Sequence, residues 1–335
     1  MGHDGLRVDR RRFLTLGVTA ALVATGCSRW GRDDHSGAVG QRPADEASRT
    51  PDAAESDGAA GPGDTDADEP SADLDDAHRE PADPEGGTRD TEADGSSDPA
   101  DDAPQIDPEL ADAQPQEWGE RVTGVRTRLA TDEPKVALTF DACGGGAGDG
   151  YDAALIEHLR DAAVPATLFL NARWIEANRT IARDLARDGR FELANHGTEH
   201  RPISVTGREA YGIAGTTSAS GVVDEVMGCQ RLLTDLTGTA PRHFRAGTAY
   251  GDEVAVAVVR QLGLEVVNFD VLGDAGATFS AAEVERALLD CRPGSIALLH
   301  MNAPGGGTAA GVAAAIGRLR ERGLTFTTLG DHDLT

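Results

Sequence analysis

The sequence predicts an α/β fold, a (β/α) barrel of about seven units, on two observations. From residue 135 onward, short runs rich in apolar and β-branched residues alternate with longer segments of helical period. This alternation indicates a parallel sheet buried on both faces, and barrel closure leaves no sheet edge unpaired. The second observation is that chemically active side chains lie at or just after the C-terminal ends of predicted strands, where barrel enzymes build their active sites. These side chains are Asp141, His196, Arg245, Asp270 and His300.

The individual elements follow from the same patterns. Short, mostly apolar runs predict the strands, and apolar residues at helical spacing between them predict the helices. The first helix has a capping signal, since Asp149 lies just ahead of it and Asp152 lies at its start. Strands are predicted at 136–141, 166–171, 191–196, 243–247, 265–271, 295–301 and 324–329. Helices are predicted at 152–163, 173–187, 221–236, 252–262, 281–290 and 309–322.

The negative charge of the chain is concentrated in one stretch. Residues 31–116 contain 26 acidic and 5 basic residues, 10 of the 16 prolines, and no Phe, Trp or Tyr. Because such a segment cannot bury a core, we predict a disordered acidic linker at 28–116 and one folded domain at 117–335. The formal net charge of -26 speaks against a nucleic-acid partner, which requires a basic face. No obligate protein partner is evident from the sequence.

The N-terminus predicts an export signal over residues 1–27. Three arginines at 10–12 precede an apolar stretch, 13–24, that is too short to cross a membrane as a mature helix. The residues DRRRFLT at 9–15 resemble a twin-arginine export signal, and the ATGC that ends at Cys27 resembles a bacterial lipobox. We therefore expect an exported protein, lipid-anchored through Cys27 on the extracytoplasmic face of the cell membrane and reaching into the cell wall. An ordinary cleaved signal with an incidental cysteine is the alternative.

Two histidines directly after a predicted apolar strand indicate a metal site. In NHGTEH, His196 and His200 are four residues apart and could bind one ion if the segment makes a turn of helix. Imidazole suits zinc and other transition metals. A lone pair of this kind is more often a surface feature, but its position at a strand end favours a functional site.

Three further rim residues have side chains suited to hydrolysis. Asp141 lies in TFDACGGG, where glycine-rich backbone lets a substrate approach closely, and is a candidate base or ligand. Arg245 could hold a carboxylate through paired hydrogen bonds. His300 leaves a fully apolar strand and could transfer a proton near neutral pH.

Together these segments resemble the NodB-homology polysaccharide deacetylases, carbohydrate esterase family four, over roughly residues 135–329. TFD ending at Asp141 resembles the first family motif, and NHGTEH the second, metal-binding one. Arg245 with Tyr250 resembles a spaced-out third motif, and LLH ending at His300 the last. The resemblance implies a distorted (β/α)7 TIM-like barrel. It also implies a divalent metal, zinc-like, bound by His196 and His200.

The resemblance further implies a hydrolase that removes acetyl groups from N-acetylated sugars of a cell-wall polysaccharide, either peptidoglycan or a chitin-like polymer. In that scheme Asp141 takes a proton from the attacking water, Arg245 orients Asp141, and His300 protonates the departing amine. The family commonly has a second aspartate as third metal ligand, where this chain has Ala142. The metal then rests on two histidines and waters, recruits Asp141, or borrows a carboxylate such as Asp149.

Several alternatives stay open at the level of sequence. Asp270 and Asp274 are both candidates for the aspartate of the fourth motif. A non-catalytic saccharide-binding lipoprotein on the same barrel is the main functional alternative. A dinucleotide-binding oxidoreductase is disfavoured, because the glycines after the first strand do not fit G-x-G-x-x-G. The remaining thiols, Cys143, Cys229 and Cys291, are expected to be buried and inert, and the sequence does not test a disulfide among them.

Overall fold

The computed structural model describes residues 106–335. The predicted export signal at 1–27, the lipidation residue Cys27 and most of the predicted linker lie outside the described residues. The helices are α1 (Pro108–Ala111), α2 (Ala153–Asp161), α3 (Ala172–Ala177), α4 (Arg179–Arg187), α5 (Ala219–Thr237), α6 (Glu253–Gln261), α7 (Ala281–Leu288) and α8 (Thr308–Glu321). The strands are β1 (Lys135–Ala142), β2 (Ala166–Leu170), β3 (Phe191–Asn195), β4 (Glu209–Ala210), β5 (Ile213–Ala214), β6 (His243–Phe244), β7 (Glu265–Val266), β8 (Val271–Leu272), β9 (Ile296–His300) and β10 (Thr325–Thr327).

The main sheet is parallel and curled, as the alternating pattern predicts. Its strands pair in the order β7-β6-β3-β2-β1-β9-β8, and β10 also pairs with β1. The α/β fold with helices around a (β/α)7 half-barrel is confirmed. The barrel is distorted, as expected, because the strand order ends at β7 on one side and β8 on the other. The predicted strand at 265–271 is split into these two short strands, one bonded to β6 and the other to β9.

Alternate residues of β1 face two different cores. Leu138 and Phe140 pack with the outer helices, while Ala137 lies in a separate cluster with Phe169 and Leu298. This period of two is the geometry of a pleated strand. Because Asp141 continues the series of Ala137, its side chain lies on the inner face of the curled sheet, where the rim residues meet.

A segment preceding β1, which we call the N-terminal strap (residues 113–129), covers the open edge of the sheet. Arg126 accepts a hydrogen bond from Asn268 (2.7 Å) and donates one to the carbonyl of Val266 at the end of β7 (2.8 Å). An unpaired strand edge exposes backbone donors and acceptors to other chains. The strap therefore satisfies backbone groups that incomplete closure leaves unpaired.

The packed region begins earlier than the predicted boundary at residue 117. Asp107 caps α1 by accepting from the Glu109 amide (2.9 Å), and its own amide donates to Gln261 (3.0 Å). Ile106 and Leu110 pack against the apolar cluster around α5 and α6. The last ten residues assigned to the linker thus contain a capped turn of helix held against the domain, which their polar composition conceals.

Two further local features differ from the sequence pattern. The helix predicted at 173–187 is interrupted at Asn178, whose side chain donates to the carbonyl of Asp149 (2.9 Å) in the loop after β1. The segment 209–214 forms an antiparallel hairpin of β4 and β5, which the sequence pattern did not predict. Among the described residues, no helix is long and apolar enough to cross a membrane.

Candidate active site

Four of the predicted rim residues come together at the C-terminal ends of the strands. Asp141 on β1 and His300 on β9 are partners in the parallel register. His196 directly follows β3, and Arg245 directly follows β6. Because parallel strand ends meet at one edge, side chains far apart in sequence converge there. The fifth rim residue, Asp270, lies elsewhere, as described below.

Asp141 and Arg245 form a buried ion pair. The Arg245 Nη1 atom donates to Asp141 Oδ1 at 2.7 Å, and both side chains are almost fully buried. The guanidinium also donates to the carbonyls of Val267 and Asn268, and it stacks 4.1 Å from the centroid of the Phe169 ring. Burial lowers the pKa of Arg245, and Asp141 opposes this effect. The multiple contacts fix the guanidinium, which in turn fixes one oxygen of the Asp141 carboxylate.

The hydrogen bonding of His196 defines which of its ring nitrogens is available to a ligand. Its Nδ1 atom lies 3.0 Å from the carbonyl oxygen of Arg245, which can only accept, so Nδ1 carries the proton. Nε2 then faces Asp141 Oδ2 at 3.6 Å and Cys143 Sγ at 3.9 Å. Burial lowers the pKa of His196, but Asp141 and Cys143 outweigh it and raise the pKa overall. A backbone-anchored imidazole with its second nitrogen directed into a polar cluster is the usual arrangement of a metal ligand.

His200 brings a second imidazole to the same cluster. The rings of His196 and His200 are 4.9 Å apart and nearly perpendicular. His200 has a φ of 60°, and its Nε2 atom is buried without a hydrogen-bond partner among the described residues. A buried polar atom without a partner is costly. That cost would be removed if the atom ligated an ion.

Cys143 completes a group of three ligand atoms that sequence reasoning missed. Cys143, His196 and His200 each offer one ligand atom, and these three atoms lie within 4.8 Å of one another. Among the described residues this is the one group of three or more His, Cys, Asp or Glu side chains that could hold a metal ion. Burial raises the pKa of the Cys143 thiol, but the nearby imidazoles of His200, His196 and His300 hold the pKa well below its usual range. Cys143 is half-buried. The expectation that it is a buried, inert thiol is therefore wrong.

The other two thiols differ from Cys143. Cys229 and Cys291 are buried and free, so the three described cysteines form no disulfide. Burial raises the pKa of both thiols, that of Cys291 to about 12. Asp149, one of the carboxylates considered as third ligand, instead accepts from the amide of Gly145 (2.6 Å) within its own loop. It stabilises the glycine-rich turn after Cys143.

A buried carboxylate on α5 anchors the loop that contains His200. Glu225 accepts from the amides of Glu199 and Arg201, both at 3.0 Å, on either side of His200. Burial raises the pKa of Glu225. At Gly197, where φ is 80°, an added Cβ would lie 2.3 Å from Glu225 Oε1. The loop therefore needs glycine at this position to bring its backbone against the carboxylate.

His300 is held by Asp274 and not by Asp270. The His300 Nδ1 atom lies 2.8 Å from Asp274 Oδ1, and the His300 amide donates to Asp274 Oδ2 at 2.7 Å. Burial lowers the pKa of His300, but Asp274 outweighs it and raises the pKa well above its usual value. Asp270 instead pairs with Arg128 and accepts from the amide of Ile296. Of the two candidate aspartates, Asp274 is the one in the site.

The three ligand atoms fit a transition metal. Cysteine sulfur and imidazole nitrogen suit zinc, and catalytic zinc sites combine three protein ligands with one open position. The unpartnered Nε2 of His200 and the fixed tautomer of His196 are the observations that support this fit. Beside the cluster lie one carboxylate held by an arginine and one histidine held by an aspartate. This set of groups suits metal-assisted hydrolysis.

Comparisons with known proteins agree with the fold. The family model described as polysaccharide deacetylase matches residues 128–267, which contain every rim residue named above except Asp270, Asp274 and His300. A protein named chitooligosaccharide deacetylase from Sinorhizobium fredii is 28% identical over 179 residues, covering 53% of this chain and 76% of that protein. Over residues 128–267 the chain is therefore similar to polysaccharide deacetylases.

Two solved structures share the architecture. A carbohydrate esterase family 4 pseudoenzyme from Bacillus anthracis gives a TM-score of 0.53 at 20% identity, over 62% of this chain and 68% of that one. A family 4 carbohydrate esterase from Bacillus subtilis gives 0.52 at 20% identity, over 62% and 84%. These likenesses show the (β/α)7 fold.

Proposed function

We propose that this protein is a metal-dependent hydrolase that removes acetyl groups from N-acetylated sugars of a cell-wall polysaccharide, peptidoglycan or chitin-like. The observation that carries the proposal is the convergence of Cys143, His196 and His200 beside the buried pair of Asp141 and Arg245. The family match over residues 128–267 and the name of the Sinorhizobium relative support the reaction class.

In this proposal zinc is the metal, and it is held by Cys143, His196 and His200. When bound, it supplies Lewis-acid chemistry, activating water and polarising the acetyl carbonyl. Cys143 supplies the third metal ligand in place of the family's aspartate, whose position in this chain is occupied by Ala142. The thiolate is one residue further along the chain, and the glycine-rich turn lets the backbone present it to the two imidazoles.

Asp141 acts as the general base. Arg245 occupies Oδ1, which leaves Oδ2 directed toward the cluster at 3.6 Å from His196 Nε2. The carboxylate takes a proton from the attacking water at this oxygen. A base fixed by a second group loses little entropy when it reacts.

His300 acts as the general acid. Asp274 holds its Nδ1–H, so Nε2 is the atom that donates a proton to the departing amine. Thr308 donates to the same aspartate at 2.9 Å, which fixes Asp274 in turn. Base and acid lie on adjacent strands, because Asp141 and His300 are register partners.

Metal content and acetate release test the proposal together. The full chain would be purified with zinc, and acetate release measured on peptidoglycan and on N-acetylglucosamine oligomers. His196→Ala and Asp141→Asn are expected to abolish release, and only His196→Ala to lower the zinc content. Matched controls are His332→Ala and Asp270→Asn, whose side chains lie outside the cluster.

The competing function is a non-catalytic saccharide-binding protein on the same fold. A wild-type chain that binds oligomers but neither holds zinc nor releases acetate would establish this alternative and exclude the deacetylase.

We also propose that the protein is exported and anchored by lipid at Cys27, on the sequence patterns alone. Membrane fractionation of cells that express the wild type and Cys27→Ser would test the anchor. The wild type is expected in the membrane fraction, and the variant outside it. Equal membrane retention of both forms would exclude lipidation at Cys27.

A further inference from the structure

Three aromatic side chains from separate segments gather next to the N-terminal strap. The ring of Tyr250 lies 5.9 Å from the ring of Trp118 and 5.4 Å from that of Tyr211. Trp118 belongs to the strap and Tyr211 to the turn of the β4–β5 hairpin. Tyr211 is 43% exposed, and Trp118 and Tyr250 are half-buried. The strap lies largely before the region that the family model matches, residues 128–267, whereas the hairpin lies within that region.

The strap and Tyr250 line an open hollow of about 510 Å³, formed by residues 117–122 and Tyr250, and Tyr211 packs on Tyr250 beside it. This volume lies within the range of small-molecule sites, roughly 300–1,000 Å³. The lining offers the aromatic faces of Trp118 and Tyr250 together with the carboxylate of Glu120 and the guanidinium of Arg121. It therefore combines apolar faces with both hydrogen-bond acceptors and donors.

The backbone connects this hollow to the candidate active site. Tyr250 follows Arg245 by five residues, which limits their separation to about 18 Å. Gly247, between them, packs so closely on His200 that an added Cβ would lie 2.3 Å from its carbonyl carbon. Gly251 exchanges two hydrogen bonds of 3.1 Å with Gly119 of the strap. The loop that carries Arg245 is thus continuous with the wall of the hollow.

We propose that the hollow binds a neutral N-acetylated sugar ring of the same glycan chain, at least two rings along the polymer from the ring that is deacetylated. The inference rests on the proposed function, because it assumes a polymeric acetylated substrate. A pyranose ring has C–H faces that stack on aromatic side chains, and hydroxyl groups that pair with carboxylates and guanidinium groups.

Charge and geometry favour this occupant. Two carboxylates, Glu117 and Glu120, line the hollow, which disfavours an anionic ligand. Tyr211 donates a hydrogen bond to Glu120, and Arg208 stacks 5.0 Å above the Trp118 ring, so the aromatic residues are held in place before a ligand arrives. A held ring loses little conformational entropy on binding.

Substrate length provides the experiment. The full-length zinc-loaded protein would be titrated calorimetrically with N-acetylglucosamine hexamer and with the dimer, and acetate release would be measured on both. Trp118→Ala and Tyr211→Ala are expected to weaken hexamer binding roughly three- to tenfold and to lower the hexamer-to-dimer ratio of kcat/KM similarly. Trp118→Phe should restore part of the loss. Phe326→Ala is the matched control, because this aromatic ring also lies under an arginine, Arg320, but on β10, away from the hollow.

The outcomes separate this inference from the function on which it rests. Equal hexamer affinity in wild type and both aromatic variants would overturn the hollow as a subsite, even if the enzyme is active. An equal loss in Phe326→Ala would do the same, since the effect would then be one of stability. Hexamer binding that depends on Trp118, without acetate release, would support the hollow and contradict only the hydrolase.

Discussion

The Nε2 atom of His196 lies 3.9 Å from the Sγ atom of Cys143, although 53 residues separate them in the chain. With His200, these two side chains form the group of ligand atoms around which the other active-site residues are arranged.

Cys143→Ala is expected to reduce zinc affinity by at least tenfold, because loss of even an outer partner of a metal ligand costs roughly 10–100-fold. Cys143→Asp should retain more zinc than Cys143→Ala, since a carboxylate can also ligate. Zinc measured by mass spectrometry after dialysis against a chelator checks both. Cys291→Ala, at a buried thiol outside the cluster, is the control. Unchanged zinc in Cys143→Ala would exclude the thiolate as a ligand.

Alkylation should distinguish the three thiols within residues 106–335. In metal-free protein at pH 7, iodoacetamide is expected to modify Cys143 first, because its pKa is low and the thiolate is the nucleophile. Burial raises the pKa of the Cys229 and Cys291 thiols, so both should stay unmodified while the protein is folded. Added zinc should protect Cys143. Peptide mass spectrometry gives the site of modification, and equal labelling with and without zinc would count against ligation.

Asp274→Asn and Asp270→Asn should affect different properties, catalysis in the first variant and thermal stability in the second. Asp274 holds the Nδ1 atom of His300, so its loss is expected to lower kcat by about 10²-fold or more while zinc content is kept. Asp270 pairs with Arg128, so Asp270→Asn should lower thermal stability and leave kcat near the wild-type value. Steady-state kinetics and thermal melts on both variants check this. Comparable kcat in the two variants would remove His300 from its proposed role.

Glu225→Gln should loosen the loop around His200. The amide group of glutamine can accept at one oxygen only, so one of the two backbone amides at Glu199 and Arg201 loses its partner. An unsatisfied buried donor costs about 1–3 kcal/mol, and zinc affinity should fall with it. Denaturant unfolding and zinc titration measure the two effects. The neighbouring Asp224 is exposed, so Asp224→Asn should change neither.

Glu192 should make stability depend on pH below about 4.5. Burial raises the pKa of this carboxyl, but hydrogen bonds from His243, Gly330 and Thr167 outweigh it and lower the pKa in the folded state. A lowered folded pKa contributes stability above the unfolded value of 4.5, and this stability is lost as the pH falls through the folded pKa.

Thermal melts between pH 6 and pH 3 should therefore show a steeper loss in the wild type than in Glu192→Gln. The exposed Glu176 supplies the control variant Glu176→Gln, which should follow the wild type. Parallel curves for wild type and Glu192→Gln would contradict the assignment.

Hydrophobic periodicity is a local property, and the elements that depend on it were predicted well. The strand predicted at 136–141 is β1, and the helix predicted at 252–262 is α6. The curled parallel sheet follows from their alternation. The distortion of the barrel was not predictable from this periodicity. It arises because the predicted strand at 265–271 forms two short strands, β7 bonded to β6 and β8 bonded to β9. The helix α1 was concealed by acidic composition, and its packing depends on partners more than a hundred residues away.

The sequence by itself determined the order of strands and helices and placed Asp141, His196, Arg245 and His300 at one rim, since parallel strand ends must meet at one edge. Only the tertiary structure decided that Asp274 and not Asp270 holds His300, and that Cys143 lies beside the two histidines. Both results depend on the direction of a side chain at the end of a strand. That direction is set by backbone turns and by neighbouring segments distant in the chain, which sequence spacing does not record.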